Sequence, residues 1–181
     1  MSEIPYGRGR TRRPSRAVLD ASAFYAGLPF RSSENYVTTP EVLDEIKHIK
    51  RSQDAIGVLI QMGRLEVRSA GPQATNRVVA EAKKTGDHAG LSKADISVLA
   101  LCLDVGSRLV TDDFAVSNVA MNMKVRVAPV MTGGIRTVGR WVHYCPGCRK
   151  NFDDARECPL CGSSLKRKLL KRQSSSSPVY K

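Results

Sequence analysis

The sequence predicts an α/β fold, in which a domain with a parallel sheet between two layers of helices is followed by a much smaller second module. Along residues 16–130, short apolar runs rich in branched residues alternate with longer segments whose apolar residues recur at helical spacing. Near the C-terminus, four of the five cysteines fall within residues 145–161 as two Cys-x-x-Cys pairs. A chain of 181 residues has room for one full hydrophobic core and a small appendage that must be stabilised in another way.

The first half of the large domain begins with an apolar strand at residues 16–20, and a helix starts directly after it at 21–25. A second strand at 36–39 leads into Pro40, a residue that suits the first turn of a helix. The periodicity then predicts a helix at 40–50, a helical stretch at 52–62, an alternating strand at 64–68 and an amphipathic helix at 72–85.

The second half contains the most apolar helix. Ser92, with Asp95 three residues later, forms a capping box at its start, and the helix ends near Gly106. Cys102 lies inside this apolar run, so we expect it to pack in the core. A strand at 108–111, a helix at 113–121 and a strand at 124–129 follow. Strands that alternate with helices favour a parallel, three-layer sheet covered on both faces.

The segments outside this domain are short and polar. The start is rich in Arg, Gly and Pro, the Gly133-Gly134 pair indicates a hinge, and the C-terminus is rich in serine. We therefore divide the chain into a flexible basic arm at 1–15, the large domain at 16–130, a hinge linker at 131–140, a cysteine-containing ribbon at 141–168 and a disordered tail at 169–181.

The net charge of +12 is carried by the flanks of the large domain. Residues 1–16 hold five Arg and one Glu, and residues 131–181 hold eleven Lys or Arg and three acids. Residues 17–130 hold thirteen basic and thirteen acidic side chains. Basic flanks around a neutral domain are expected where accessory segments hold a polyanion, and nucleic acid is the first such partner. The alternative is that the flanks are merely solubilising or disordered.

The chain shows no sign of a membrane or a secretory route. No apolar run approaches the roughly 20 residues of a membrane span. The Arg-rich start has no apolar stretch behind it, so we expect no secretory signal and a cytoplasmic protein. In such a chain, clustered Cys-x-x-Cys pairs indicate metal rather than disulfides.

The cysteine spacing predicts a structural zinc site. Each Cys-Pro-x-Cys turn presents two thiolates on one side of a tight loop, and two turns supply the four ligands of tetrahedral zinc: Cys145, Cys148, Cys158 and Cys161. A segment of about thirty residues cannot bury enough surface to fold alone, so metal binding would supply its folding free energy. An iron site of the same ligand type and a dithiol pair are the alternatives.

Basic side chains surround the cysteines, and we expect them to bind RNA. They are Arg149, Lys150, Arg156, Lys166, Arg167 and Lys168. Trp141, His143 and Tyr144 precede the first cysteine, and cations interleaved with stacking rings suit an RNA surface. The alternative for Trp141 and Tyr144 is that they pack the small core of the ribbon.

Acidic residues gather where the carboxyl ends of the predicted strands should form a functional crevice. Some follow strands directly and others lie in helices that could reach the same edge: Asp20, Glu41, Glu45, Asp95, Asp112 and Asp113. Such a cluster would bind Mg²⁺ or Mn²⁺, which prefer carboxylate oxygens, and would activate water for attack on a phosphodiester.

Most of these acids also have a structural explanation. Asp95 completes a capping box, Asp113 could be an N-cap, and Glu41 suits the positive end of a helix dipole. Asp20 is harder to explain in this way, because an acid that ends a buried strand needs a partner.

Four stretches resemble the PIN-domain nucleases in order and spacing: residues 18–24, 40–46, 91–101 and 109–114. The stretch Lys83-Lys84-Thr85-Gly86-Asp87, together with the ribbon, is similar to one branch of that family, the NOB-one ribosome-maturation endonucleases. The resemblance spans about residues 16–168 and leaves out both tails.

This resemblance implies an endoribonuclease, dependent on Mg²⁺ or Mn²⁺, that trims the 3′ end of precursor small-subunit ribosomal RNA. It implies that the ribbon docks on the immature small subunit. Carried over by position, the metal-binding catalytic acids are Asp20, Glu45, Asp95 and Asp113, with Asp112 as a further candidate. Glu45 is preferred to Glu41 because it matches the family pattern better, and Asp87 matches the NOB-one branch without an assigned task.

Two other functions stay open at this level. A toxin-type PIN ribonuclease would cut another RNA, although such toxins are normally single compact domains without a ribbon. A ribosome assembly factor with vestigial acids would bind RNA without cutting it. The sequence leaves the oligomeric state undetermined.

Overall fold

The structure is a computed structural model that describes residues 16–48, 50–131, 138–152 and 155–172. The predicted basic arm, the Gly133-Gly134 hinge and the tail beyond Arg172 lie outside the described residues. No described helix combines the length and the apolar character needed to cross a membrane.

Five short strands form a wholly parallel sheet, as the alternation of strands and helices predicts. They are β1 (Ala17–Leu19), β2 (Tyr36–Thr38), β3 (Leu65–Val67), β4 (Leu109–Val110) and β5 (Val127–Ala128), in the spatial order β3-β2-β1-β4-β5. Val18 pairs with Val37 on one side and with Leu109 on the other. Every residue of β1, β2 and β4 is buried, because helices cover both faces of the sheet.

Seven α-helices of the described chain connect and cover these strands. They are α1 (Ala21–Tyr25), α2 (Leu28–Arg31), α3 (Pro40–Glu45), α4 (Lys50–Gln61), α5 (Pro72–Thr85), α6 (Lys93–Val105) and α7 (Phe114–Asn122). The predicted cap of α6 is confirmed, since Ser92 and Asp95 form a reciprocal capping box. Cys102 is buried in the core, where burial raises the pKa of its thiol.

Two helices differ from the prediction. The helix predicted at 40–50 ends at Glu45 and continues as a 3₁₀ turn at Ile46–His48, whose His48 ring contacts the Glu45 carbonyl oxygen through Nδ1 at 3.0 Å. The short helix α2 has no periodic signal. It begins after Gly27, which has a φ of 71°, and Pro29 lies in its first turn.

The C-terminal module is a separate antiparallel sheet. Its strands are β6 (Val138–Tyr144), β7 (Asn151–Phe152) and β8 (Lys166–Arg172), in the order β7-β6-β8. β6 begins inside the segment for which we predicted a linker, and β8 continues past residue 168, because Trp141 pairs with Leu169 and Arg140 with Leu170. The paired strands therefore extend the ribbon well beyond the cysteine turns, from Tyr144 opposite Lys166 to Val138 opposite Arg172.

Candidate active site and metal centre

Asp20 lies at the point where the sheet order reverses. β2 and β3 lie on one side of β1, and β4 and β5 lie on the other, so the carboxyl ends of β1 and β4 flank the usual ligand crevice of an open α/β sheet. The Asp20 side chain is 4% exposed and accepts hydrogen bonds from the Ala21 amide at 2.7 Å and the Thr111 hydroxyl at 2.6 Å. The carboxylate therefore spans the gap between the two central strands.

Glu45 and Asp95 join Asp20 from the helices. Thr39, the N-cap of α3, contacts the Ser97 hydroxyl at 2.6 Å and so holds α3 against the start of α6. The Asp95 carboxylate accepts the Ser92 amide at 2.7 Å, which fixes it in the first turn of α6. Asp95 is close enough for its charge to act on both Asp20 and Glu45. The structure thus places these three predicted acids within reach of one another's charge.

The carboxylates at this edge of the sheet repel one another. Burial raises the pKa of Asp20, and the charge of Asp95 adds to this, although hydrogen bonds from Thr111 and Ala21 oppose it. Partial desolvation and the charges of Asp95 and Asp20 raise the pKa of Glu45, which His48 opposes. A divalent cation would relieve this repulsion, and carboxylate oxygens are ligands that Mg²⁺ and Mn²⁺ accept. The residues therefore fit such an ion.

Asp112 and Asp113 have different environments. The Asp113 side chain is exposed and caps α7 by accepting the Val116 amide at 2.9 Å. The Asp112 carboxylate accepts the backbone amides of Val130 at 2.9 Å and Met131 at 3.0 Å, so it anchors the chain after β5. Asp113 is the more available of the two at the crevice. Glu41 is exposed in the first turn of α3.

The acids stand further apart than the cysteines do. Among the described residues, only the four cysteines form a group of three or more whose ligand atoms all lie within 4.8 Å of one another. A looser set of carboxylates suits Mg²⁺, which usually keeps several waters and takes one or two protein carboxylates.

Exposed rings lie close in the chain to the predicted acids, and their sequence pattern did not single them out. Tyr25, at the end of α1, is 52% exposed, and its ring centroid lies 5.9 Å from that of His48. His48 in turn contacts the Glu45 carbonyl oxygen. Phe114 directly follows Asp113 and is 40% exposed. The sequence signal that could have found these rings is their position, since each ring lies within five residues of a predicted acid.

The four cysteine sulfurs match the geometry of a zinc site. Cys145 Sγ lies 3.4 Å from Cys161 Sγ, and Cys148 Sγ lies 3.5 Å from Cys158 Sγ. Four sulfurs at the usual Zn–S length of about 2.3 Å are separated by about 3.8 Å at the corners of a tetrahedron. The cluster could therefore hold zinc after only small shifts.

The two cysteine turns are near repeats with one difference. In each turn the residue after the second cysteine has a left-handed backbone and donates its amide to the carbonyl of the first cysteine at 2.9 Å. That residue is Arg149, with a φ of 59°, in the first turn and Gly162, with a φ of 68°, in the second. Glycine adopts this conformation without strain, whereas Arg149 does so at a cost of about 1–2 kcal/mol.

The thiols differ in acidity. Burial raises the pKa of Cys158 to about 11, whereas the hydroxyl and backbone amide of Ser163 lower the pKa of Cys161 to about 6. Zinc binds thiolates and must displace the proton of Cys158. The affinity for zinc is therefore expected to rise with pH across the neutral range.

The predicted RNA-binding residues are all exposed but lie on different faces of the ribbon. Side chains alternate along a strand, so Lys166 and Lys168 of β8 share one face with Tyr144, and the Lys168 amine lies 4.6 Å from the Tyr144 ring centroid. Arg167 lies on the opposite face, over the Trp141 ring, and donates to the Gly86 carbonyl at 3.0 Å. Arg149, Lys150 and Arg156 lie in the loops around the cysteines.

The fold and the acidic crevice define the class of PIN-type ribonuclease domains. Residues 17–105 match a family model described as the PIN domain of ribonuclease. The matched segment runs from the start of β1 to the end of α6 and contains Asp20, Glu45 and Asp95.

Similar proteins whose match extends beyond this domain identify the family of the chain more narrowly. It is 37% identical to Endoribonuclease Nob1 of Methanocaldococcus jannaschii over 85% of this chain and 78% of that protein. It is 36% identical to Endoribonuclease Nob1 of Pyrococcus abyssi over 83% of this chain and 92% of that protein. Ribonuclease VapC1 of Thermoplasma acidophilum is 35% identical over 87% of this chain and 80% of that protein. The chain belongs to the Nob1 family of PIN-domain endoribonucleases.

Repulsion within the acidic cluster predicts that Asp95→Asn does not destabilise the metal-free crevice. The amide oxygen can still accept the Ser92 amide, while one negative charge is removed. Because the pKa of Asp20 is raised, its contribution to stability is present at low pH and is lost as the pH rises through the folded-state pKa. We expect the variant to melt at or slightly above the wild-type temperature at pH 7, with any difference shrinking at pH 4.

The measurement is thermal unfolding of zinc-loaded protein freed of Mg²⁺ and Mn²⁺. The control is Asp44→Asn, which removes a charge from the exposed Lys47 pair next to Glu45. A melting temperature for Asp95→Asn well below that of Asp44→Asn at pH 7 would show that the carboxylate is needed for the fold and that relief of repulsion is negligible.

The cysteine cluster predicts one bound zinc per chain. Cys145→Ser should abolish stoichiometric zinc and melt the ribbon, while the nuclease domain keeps its own core and its own transition. Metal content by mass spectrometry and thermal unfolding measure the two effects. Cys102→Ala is the matched control, because it removes the one cysteine outside the cluster and should retain the metal. Full zinc occupancy in Cys145→Ser would contradict the assignment.

Proposed function

We propose that this protein is a Mg²⁺- or Mn²⁺-dependent endoribonuclease that cleaves precursor small-subunit ribosomal RNA near its 3′ end. The observation that carries the proposal is the meeting of Asp20, Glu45 and Asp95 at the point where the sheet order reverses. Asp113 at the end of β4 completes the proposed metal-binding set. The immature small subunit in the cytoplasm is the proposed partner.

The protein side chains position the reaction. Asp20 is held by three neighbours, since the Ser22 hydroxyl also donates to it at 3.3 Å. The capping box fixes the Asp95 carboxylate at the start of α6, and the N-cap hydrogen bond fixes the Asp113 carboxylate at the start of α7. When bound, a divalent ion supplies neutralisation of the phosphodiester charge and acidification of an attacking water.

Single-stranded RNA is the proposed form of the substrate. Tyr25, whose ring lies near that of His48, and Phe114, which directly follows Asp113, are exposed rings close in the chain to the proposed metal ligands. Bases stack on such rings only when they are not paired within a duplex. The rings would hold the bases that flank the scissile phosphate.

The ribbon is proposed to bind a second part of the same RNA. Lys166, Lys168 and Tyr144 form one face of β6 and β8, with the cationic and stacking character of RNA-binding surfaces. The large excess of positive charge at the C-terminus supports this role. A ribosomal substrate is supported by the resemblance to the NOB-one branch, which includes the ribbon.

One observation favours a second candidate function. The match to Ribonuclease VapC1 covers 87% of the chain, so it extends past the nuclease domain into the ribbon. Similarity that includes the ribbon is therefore shared with a relative named as a ribonuclease, and a toxin-type ribonuclease that cuts another RNA is the second candidate. Equal cleavage of unrelated RNAs and of the ribosomal 3′ processing site would favour that function.

Removal of two proposed ligands should separate binding from chemistry. Asp20→Asn combined with Asp95→Asn keeps the side-chain shapes and should lower the cleavage rate by about 100-fold or more. RNA affinity should stay near wild type, because Lys and Arg side chains supply it. The measurements are single-turnover cleavage, with Mn²⁺, of a short RNA spanning the 3′ processing site and equilibrium binding of the same RNA. Unchanged cleavage would falsify the proposed site.

A matched pair of variants resolves the choice between two glutamates. Glu45→Gln should lose cleavage to a similar degree, whereas Glu41→Gln, one turn away on the same helix, should keep it. The reverse result would move the site to Glu41. If wild-type protein with Mn²⁺ or Mg²⁺ never cuts the RNA, a non-catalytic assembly factor becomes the better interpretation.

The exposed rings should contribute to substrate binding rather than to the chemical step. We expect Tyr25→Ala and Phe114→Ala each to raise KM for single-stranded RNA by about tenfold, with kcat changed little. Tyr25→Phe is the control, since it keeps the ring and removes only the hydroxyl. Steady-state cleavage kinetics measure the effect, and equal losses in Tyr25→Phe and Tyr25→Ala would argue against stacking.

A further inference from the structure

The stretch Lys83-Lys84-Thr85-Gly86-Asp87 has no task in the crevice, yet it ends in a buried carboxylate. Asp87 is 2% exposed and follows the end of α5. Its Oδ2 accepts a hydrogen bond from Asn118 Nδ2 of α7 at 2.6 Å. Burial of a carboxylate costs free energy unless hydrogen bonds replace its contacts with water. The hydrogen-bond partner of Asp87 therefore indicates what the buried carboxylate does.

Asn118 connects Asp87 to the ribbon. It is fully buried, its Nδ2 also donates to the Gly139 carbonyl at 2.8 Å, and its Oδ1 accepts the Gly139 amide at 2.9 Å. Gly139 belongs to β6, the first strand of the ribbon. Because the Asp87 carboxylate only accepts, it fixes which end of the Asn118 amide carries the donors. Asp87 thus sets the amide in the one orientation that pairs with both groups of Gly139.

A second set of contacts joins the same surfaces. Gly86 ends α5 with a φ of 75°, and a Cβ at this position would lie 3.0 Å from the Trp141 carbonyl oxygen of β6. Glycine therefore permits the close approach of the ribbon. The Gly86 carbonyl accepts the Arg167 guanidinium, which also lies 4.6 Å from the Trp141 ring centroid. Arg167 faces the nuclease domain, unlike Lys168 next to it.

We propose that Gly86, Asp87, Asn118, Gly139 and Arg167 form a lock that holds the ribbon in one orientation on the nuclease domain. The lock would set a fixed spacing between the basic face of the ribbon and the acidic crevice. A long RNA that contacts both would then be cut at a defined distance from the segment held by the ribbon. The role in RNA cleavage rests on the proposed function, and the lock residues are positioning residues that do not touch the scissile phosphate.

Hydrogen exchange tests the lock without any RNA. The Gly139 amide donates to Asn118 Oδ1, so its exchange rate reports on the contact directly. We expect Asp87→Ala to accelerate exchange at Gly139 by about tenfold or more, and Asp87→Asn, which keeps an acceptor oxygen, to stay near wild type. Unchanged exchange at Gly139 in Asp87→Ala overturns the proposal, whether or not the protein cuts RNA.

Two RNAs then test what the lock does. One spans only the cleavage site, and the other also carries the segment that reaches the ribbon. We expect Asp87→Ala to lower kcat/KM on the long RNA by about tenfold and to spread the cleavage positions, with the short RNA cut as by wild type. An equal loss on both RNAs would show a merely structural role and overturn the positioning role. If wild type cuts neither RNA, the proposed function fails while the exchange experiment still decides the lock.

Arg167 provides a variant that leaves the buried network intact. Arg167→Ala and Lys168→Ala remove one exposed charge each from neighbouring positions on opposite faces of β8. Both should weaken binding of the long RNA, but only Arg167→Ala should accelerate exchange at Gly139. If the two variants give the same exchange rate at Gly139, Arg167 is an RNA contact and not part of the lock.

Discussion

The parallel pairing of β1 with β4 is the constraint on which the site depends. Through this pairing, Leu19 aligns with Val110, and the next residues of both strands emerge at the same edge. The Asp20 carboxylate then meets the Thr111 hydroxyl across the gap, and α1 and α7 start from the same place. On the other side of β1, the Thr38 hydroxyl donates to the Leu19 carbonyl and holds β2 in register. The helix α3, which carries Glu45, comes directly after β2 in the chain.

Several acids combine a structural role with a proposed chemical one. Asp95 completes the capping box of α6, and Asp113 caps α7, which the sequence presented as alternatives to metal binding. In the structure these roles are compatible, because a carboxylate held by a helix N-terminus is already oriented and keeps free lone pairs. Asp112 differs, since its oxygens accept two backbone amides beyond β5. The local environment thus distinguishes neighbouring acids that sequence alone left equivalent.

Features encoded by short-range patterns were the ones that sequence reasoning could predict. The periodicity of α5 predicted its bounds, and Ser92 with Asp95 predicted the start of α6. Contacts between distant parts of the chain were not accessible in this way. The pairing of Asn118 with Gly139 joins residues that no local pattern relates, and the face taken by Arg167 depends on the strand register of the ribbon. The short helix α2 has too few residues to show a period.

Burial, and to a smaller degree the charge of Asp95, raises the pKa of Asp20, and this bears on the choice among ions. Any small divalent cation would be attracted to carboxylates that repel one another, because the attraction depends on charge and distance and not on the element. The electrostatics of the crevice would therefore favour binding of the proposed ion without selecting between elements. Discrimination between Mg²⁺ and Mn²⁺ would have to come from coordination number, tolerance of distorted geometry and the relative abundance of the two ions in the cell. Under the proposed function, such a nuclease would work with whichever of the two ions its surroundings supply.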